Sequence, residues 1–501
     1  MRPWTTLWNR LLDLPLLVIL MGLSALAMLL PAGHALALGQ LFVARAFFYS
    51  ALILLILTAM IGIATANNRP RNQLQSHLVA VIAAYIILPV LFAVPLHQAV
   101  PGLRFSDAWF EMLSCFTTTG ATQFDTPGAL LPPLHFWRAL VGWLGGFFIV
   151  LAVATVLAPM GLGGVELRGG QAAGRAGGNR LAEPSQRIIR FTVQIFPIYA
   201  GLTLVLWIGL LLAGDSALIA LCHAMGTLST SGISPLAGLQ GTASAIIGEV
   251  LILVFLSLAL TRGLWPDASQ ADRRLQIWRD PELRLALGLV AAVTCVLATR
   301  HFVLMSKTDD FATLPSVLSV IWGSAFTAVS FLTTTGFQSA HWPDLAPAGL
   351  VLLGLAMIGG GIATTAGGMK LLRIYALLRH GERELERIVH PHSIGGHGPV
   401  ARRLRREGAH LAWIFFMIFG LSIALITAAL TLANLGFQEA LVLAIACLST
   451  TGQLANVVGD APIGYGDLSS SVKGILGLAM ILGRLEILAI FALFAPNGWA
   501  R

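Results

Sequence analysis

Long blocks of apolar residues, separated by short polar stretches, set the pattern of this chain. An α-helix needs about 20 apolar residues to cross a bilayer, and ten such blocks can be placed: Leu14 to Ala32, Phe42 to Ala66, His77 to Leu96, Trp137 to Met160, Phe191 to Ala213, Ser244 to Leu264, Leu285 to Leu304, Ala346 to Leu372, Leu411 to Leu432 and Val472 to Phe494. The first lacks a convincing small-residue cleavage site and reads as a transmembrane helix rather than a leader. A second pattern lies between the spans. The stretches SCFTTTGATQF, GTLSTSGIS, SFLTTTGFQ and CLSTTGQLA each put three hydroxyl residues before a glycine. Those glycines, Gly120, Gly232, Gly336 and Gly452, are 112, 104 and 116 residues apart, the spacing of one duplicated unit used four times. Each unit reads as a spanning helix, a short re-entrant apolar segment, the hydroxyl-glycine strip, and a second spanning helix. Asp107 and Glu439 each stand thirteen residues before their glycine, where a carboxylate suits the positive end of the short helix. The expected fold is an all-α membrane protein with four pseudo-symmetric helix, pore-loop, helix repeats around one central pore, plus two extra N-terminal transmembrane helices. The corresponding division of the chain is 1–76, 77–165, 166–270, 271–400 and 401–501.

Composition agrees with this pattern: 56% of the 501 residues are hydrophobic and 11% charged, where a soluble domain carries roughly a quarter charged. The net charge of +8 does not signal nucleic acid, because in a membrane protein the position of the charges matters more than their sum. With the N-terminus inside, the inner segments 1–13, 67–76, 161–190, 262–284, 370–409 and the C-terminus hold 24 of the 31 Lys and Arg, so the positive-inside rule places both termini in the cytoplasm. The outer segments carry Asp125, Asp215, Asp309, Asp310, Asp344, Asp460 and Asp467, which either raise the local cation concentration or are ordinary loop charges. Cys115, Cys222 and Cys447 lie in the apolar stretches leading into the strips and read as small buried hydrophobes.

Non-helical backbone at membrane depth leaves polar groups unpaired, so it survives only when buried in protein or lining water. Four strips around an axis can meet that demand together by turning rings of carbonyl oxygens toward a dehydrated cation. The candidate oxygen ligands are Thr117, Thr118, Thr119 and Gly120; Ser229, Thr230, Ser231 and Gly232; Thr333, Thr334, Thr335 and Gly336; and Ser449, Thr450, Thr451 and Gly452. Glycine permits the backbone conformations that align carbonyls, and the hydroxyls can add ligands or tie the strips to their neighbours. Carbonyl rings of this kind suit K⁺.

With these strips, the run GGGIATTAGGMKLLR in the third unit and GRLEIL in the last span, the chain resembles the TrkH/KtrB superfamily of potassium transporters over essentially its whole length. The two extra N-terminal helices resemble the TrkH branch. That resemblance implies potassium uptake across a bacterial inner membrane, no enzymatic activity, no organic cofactor, K⁺ held at the four strips, and K⁺ selectivity from Gly120. It also implies a homodimer and a cytosolic, TrkA-like ring of nucleotide-binding regulatory subunits. The fourth strip departs from the branch's usual Asn-Leu-Gly. The basic inner segments, above all Arg373 to Arg406, suit either that ring or anionic membrane lipids.

Gly359, Gly360, Gly361, Thr364, Thr365, Gly367 and Gly368 interrupt the span ending at Leu372. A helix through them is weak, since each glycine costs roughly 1 kcal/mol against alanine. They serve either close helix packing or, as the resemblance implies, a gate below the filter with Lys370 and Arg373 at its cytoplasmic end. Arg484 sits twelve residues into the last span, where an arginine needs a partner or water. Glu486, two residues on, does not face it, so a carbonyl or carboxylate of another segment is expected. The resemblance makes Arg484 a barrier beneath the filter, and a tie between helices is the alternative. Only Arg484 and Glu486 stand out as mid-membrane ionisable residues, which argues against a symporter for another solute. Gly464 to Asp467, GYGD, reads as an extracellular loop, and His390, His392 and His397 as loop residues without an acid or cysteine cluster.

Overall fold

A computed structural model of the chain describes residues 15–65, 73–124, 128, 130–158, 184–236, 238–261, 280–305, 314–342, 349–390, 409–459 and 461–485. Asp125, Asp309, Asp310, Asp344, Asp460, His392, His397 and Glu486, much of the basic inner segments and the C-terminal end fall outside them. The described residues are helical, with no strand among them.

Helices α1 (Leu16–Ala37) and α2 (Leu41–Thr65) form a tight hairpin through Gly39 and pack on the helices after them. Then come four similar groups. The first is α3 (Gln73–Ala99), α4 (Phe105–Phe116) and α5 (Pro132–Ala152), which continues as a π-helical turn over Val153–Leu157. The second is α6 (Pro184–Leu212), α7 (Ala217–Leu228) and α8 (Ala245–Leu256). The third is α9 (Pro281–Met305), α10 (Leu314–Leu332) and α11 (Gly349–Ile358), followed after a non-helical stretch by α12 (Leu371–Val389). The fourth is α13 (Ala409–Leu432), α14 (Phe437–Leu448) and α15 (Ser470–Leu485).

The groups close on each other in order. The last helix of each meets the short helix of the next: α5 meets α7, α8 meets α10, α11 meets α14, and α15 returns to α4. A cycle with the same contact at every step is a four-fold pseudo-symmetric ring, and it needs no partner to close. The N-terminal hairpin stands outside the cycle, with α1 against α3 and α5 and α2 against α3.

Among the described residues, seven helices are long and apolar enough to cross a membrane. Two of the expected spans differ. Ser244 to Leu264 is a 12-residue α-helix with a short 3₁₀ turn over Ser257–Ala259. Ala346 to Leu372 breaks after Ile358; of the last expected span, Ser470–Leu485 are helix and the residues from 486 on lie outside the described residues. In the third group the segment before the strip is also longer than expected, 19 residues in α10 against 12 in α4, α7 and α14. Hydropathy measures how apolar a stretch is, and it does not see where glycine or a neighbouring element ends the helix.

Candidate functional site

The short helices all stop at the same register, at Phe116, Leu228, Leu332 and Leu448, directly before the hydroxyl-glycine strips. What stops them is the second strip residue. Thr118, Thr230, Thr334 and Thr450 take φ of 56°, 53°, 59° and 56°, a left-handed conformation that costs a β-branched residue on the order of 1–3 kcal/mol and persists only when its surroundings impose it. Four copies of one strained angle are a designed feature of the repeat.

The strain reorients the backbone. In every strip the first three amides bond back to the strip's own short helix: Thr117, Thr118 and Thr119 to the carbonyls of Leu113, Cys115 and Ser114, with Ser229–Ser231, Thr333–Thr335 and Ser449–Thr451 doing the same in register. The donors are thus used up pointing away from the strip. The carbonyls of Thr117, Thr118, Thr230, Ser231, Thr333, Thr334, Thr335, Gly336 and Thr450 accept no hydrogen bond from any described residue, although all these residues are buried. Buried oxygens without donors are costly unless a cation or water satisfies them. Side-chain hydroxyls hold the strips in shape. Those at the first and third positions pair with each other, Thr117 with Thr119 at 2.9 Å, Ser229 with Ser231 at 2.9 Å and Thr333 with Thr335 at 3.1 Å.

The strips lie side by side around one centre. A Cβ on Gly120 would overlap the Ser231 carbonyl, one on Gly232 the Thr335 carbonyl, one on Gly336 the Gln453 side chain, and one on Gly452 the backbone of Ala121. Strip one touches two, two touches three, three touches four, and four touches one. Gly452 also donates its N–H to the Thr119 carbonyl at 2.6 Å. Unlike the other three glycines it has no positive φ, and it opens a short 3₁₀ turn over Gly452–Asn456. The fourth strip therefore leaves its neighbours' geometry at the glycine, which its different sequence foreshadows.

The limb after each strip is held by a residue nine positions before the glycine. Glu111 accepts the Gln123 amide at 2.7 Å, His223 Nε2 lies 2.8 Å from Ser234 Oγ, and Thr327 Oγ1 accepts the Ser339 amide at 3.4 Å. The fourth repeat has Leu443 at that position, and a tyrosine takes over: Tyr465, 3% exposed, donates its hydroxyl to the Gly452 carbonyl at 2.9 Å. GYGD is a loop whose tyrosine also supports the strip.

Mid-molecule ionisable residues are also more numerous than the sequence suggests. Arg138 pairs with Glu111 at 2.6 Å and donates to Thr122 at 2.8 Å. Lys473, 1% exposed, reaches Asp107 Oδ1 at 2.7 Å, Gln123 Oε1 at 2.8 Å and the Gly466 carbonyl at 3.0 Å. Glu249 accepts from Trp322 Nε1 at 2.6 Å, Ser339 Oγ at 2.8 Å and the Ala340 amide at 2.7 Å. These charges sit behind the strips, where they fix the limbs. Hydropathy averages hid them, because each stands alone in an apolar or short polar stretch.

On the side of the strips toward their short-helix ends lies the loop between α11 and α12. Gly359, Gly360, Gly361, Thr364, Thr365, Gly367, Gly368 and Lys370 are non-helical and buried, Lys370 at 8% exposure. The Gly367 amide donates to Thr334 Oγ1 at 2.7 Å, and a Cβ on Gly367 would overlap Thr450 Oγ1 and the Ser449 carbonyl. Arg484 donates from Nη1 to the Thr365 carbonyl at 2.7 Å. Lys370 Nζ donates to the Ala366 carbonyl. At the loop's margin, Gly361 N–H bonds the Ala259 carbonyl at 2.9 Å and Ile362 N–H bonds Glu282 Oε1 at 3.0 Å. A small cavity between this loop, α5 and α15 is lined by Ile149, Val153, Thr364, Gly367, Lys370 and Arg484, among others.

A family model described as TrkH, cation transport protein, matches residues 44–500. The chain belongs to the TrkH family. Its relatives include the Trk system potassium uptake protein TrkH of Salmonella typhimurium and that of Escherichia coli K12, each 29% identical over 442 residues covering 86% of this chain and 88% of theirs. The crystal structure of the potassium transporter TrkH from Vibrio parahaemolyticus superposes with a TM-score of 0.80 at 25% identity, covering 98% of this chain and 99% of that one. This TrkH-family chain is therefore a multi-pass membrane transporter built from pseudo-symmetric repeats, in a family of cation transport proteins.

Proposed function

We propose that this chain carries K⁺ into a bacterial cell across the inner membrane, through the ring of four strips. One observation carries the reading: four backbone strips meet in cyclic order with the first three amides of each bonded back to its own short helix and nine of their buried carbonyls accepting no hydrogen bond from any described residue. Such an oxygen-only site replaces the hydration shell of a monovalent cation, and the relatives are named as potassium uptake proteins. Thr117–Gly120, Ser229–Gly232, Thr333–Gly336 and Ser449–Gly452 are its ligand set. The K⁺ is cargo, and no organic cofactor takes part.

The loop from Gly359 to Lys370 acts as the gate, because it stands directly against strips three and four, and Arg484 pins it through Thr365. Opening breaks the Gly367–Thr334 and Arg484–Thr365 bonds and clears the path. Arg484 then presents its charge to the passing ion as a barrier. The chain divides into an N-terminal hairpin, 1–76, and four pore repeats, 77–165, 166–270, 271–400 and 401–501, a reading that the four similar helix groups support. Both termini face the cytoplasm, as the basic inner segments support. The chain works as a homodimer with a cytosolic, TrkA-like nucleotide-binding ring, which moves the gate through the basic inner surface around α12. The same surface also meets anionic lipid head groups.

The test is potassium-dependent growth of an uptake-deficient cell expressing Gly120→Ser or Gly336→Ser. Each substitution puts a side chain into a neighbouring strip at a positive φ, so both are expected to lower K⁺ uptake at least tenfold with the protein still in the membrane. Wild-type uptake in both variants overturns the filter assignment.

A further inference from the structure

Gln453 follows the fourth strip's glycine and lies across the end of the ring away from the gate loop. Its stem packs against Gly336 and Gly232. Its amide nitrogen Nε2 donates to the Gly120 carbonyl at 3.2 Å and approaches the Gly232 carbonyl at 3.5 Å. Its Oε1 accepts from Asn456 Nδ2 at 3.0 Å. The Asn456 bond and the two carbonyls agree on the orientation of the amide, since the reversed amide would set oxygen against oxygen. One side chain directly after the fourth strip therefore touches the other three, two of them through its hydrogen-bond donor.

Resting on the potassium-pore reading above, we propose that Gln453 is a specificity-determining latch at the outer mouth. Its amide NH₂ occupies the oxygen ring that the entering cation must use. A hydrogen-bond donor and a cation compete for the same carbonyl lone pairs, because both are electropositive partners of the same oxygens. An ion reaching Gly120 and Gly232 must displace the amide, so Gln453 sets the external concentration at which the pore fills. Asn456, exposed at the mouth, holds the amide in the blocking orientation. Gln453 is partly exposed, which leaves it room to swing aside without repacking the strips. The latch is confined to the fourth strip because only there does the chain turn into a 3₁₀ helix directly after the glycine, carrying the next side chain back over the ring.

The experiment is the K⁺ dependence of ⁸⁶Rb⁺ influx into proteoliposomes holding the full-length protein, for wild type, Gln453→Ala, Gln453→Glu and Asn456→Ala. Gln453→Ala removes the competing donor and is expected to lower the KM for external K⁺ about fivefold, the size of one net hydrogen bond, without lowering the maximal rate. Asn456→Ala frees the amide and moves the KM in the same direction by less. Gln453→Glu turns the donor into a fixed negative charge, lowers the KM and makes influx sensitive to external Ca²⁺. An unchanged or raised KM in Gln453→Ala overturns the latch, as does a raised KM in Asn456→Ala should the first variant fail to assemble. Gly336→Ser run in parallel separates the two claims: if it transports like wild type, the pore reading fails, whereas a silent Gln453 beside an inactive Gly336→Ser sinks the latch alone.

Discussion

At the scale of single residues, four threonines hold the strips in a conformation they do not favour. Thr118, Thr230, Thr334 and Thr450 share one left-handed angle, and among the described residues the only one whose hydroxyl bonds the loop between α11 and α12 is Thr334. Thr334→Val keeps the shape and removes the acceptor, leaving the buried Gly367 amide unsatisfied at about 1–3 kcal/mol. If the loop closes the pore, the closed state is weakened, and about a tenfold rise in open probability is expected in recordings from reconstituted protein. An unchanged open probability would disconnect this bond from gating. The strip residues were legible in the sequence because a fixed period exposes them. Their angle was not, since nothing in Thr-Thr-Thr-Gly distinguishes the middle position. Gln453 and Tyr465 were invisible for a related reason: each acts only where the chain folds back over a strip.

At the scale of elements, each strip is braced by the helix before it and the limb after it. The position nine residues before the glycine holds glutamate, histidine and threonine as braces in the first three repeats and leucine in the fourth, where Tyr465 takes over, so no residue type repeats and the position escapes a reading by motif. Geometry finds it at once. In the first repeat the brace is an ion pair with almost no exposure on either side. Arg138→Met strands Glu111 without its partner, and a loss of about 3–5 kcal/mol is expected, seen as a lower Tm of the detergent-solubilised protein. Because Glu111 also accepts the Gln123 amide, the limb after strip one loosens with it, and Glu111→Leu added to Arg138→Met is expected to cost less than the sum of the two single changes. Strict additivity would show that the pair does not act as a unit. Lys473 fixes the same limb from the other side through Gln123 and Asp107. Nothing in the sequence marks it, because its two side-chain partners are 350 and 366 residues away along the chain.

At the scale of the whole molecule, the cycle of α5 on α7, α8 on α10, α11 on α14 and α15 on α4 builds the pore from one chain. Its repeat order was legible from the glycine spacing and from the apolar blocks. The ends of the spans expected at Ser244 to Leu264 and Ala346 to Leu372 were not, because helix ends there are set by glycine and by packing rather than by hydropathy. A ring of this kind draws its stability from every interface at once, so weakening one joint loosens all the strips. Gly483→Leu at the α15 to α14 contact, where even a Cβ would overlap the Leu448 carbonyl, is therefore expected to lower K⁺ over Na⁺ selectivity several-fold in reversal-potential measurements. Unaltered selectivity with normal assembly would show that the strips hold their geometry independently of that joint.

The most direct test of the central claim is to locate the ion itself. Crystals of the protein grown in Tl⁺ or Rb⁺ and measured at the ion's absorption edge are expected to show anomalous density on the axis between the four strips, within coordination distance of carbonyls from all four. Density elsewhere in a transport-competent protein, with none between the strips, would contradict the account.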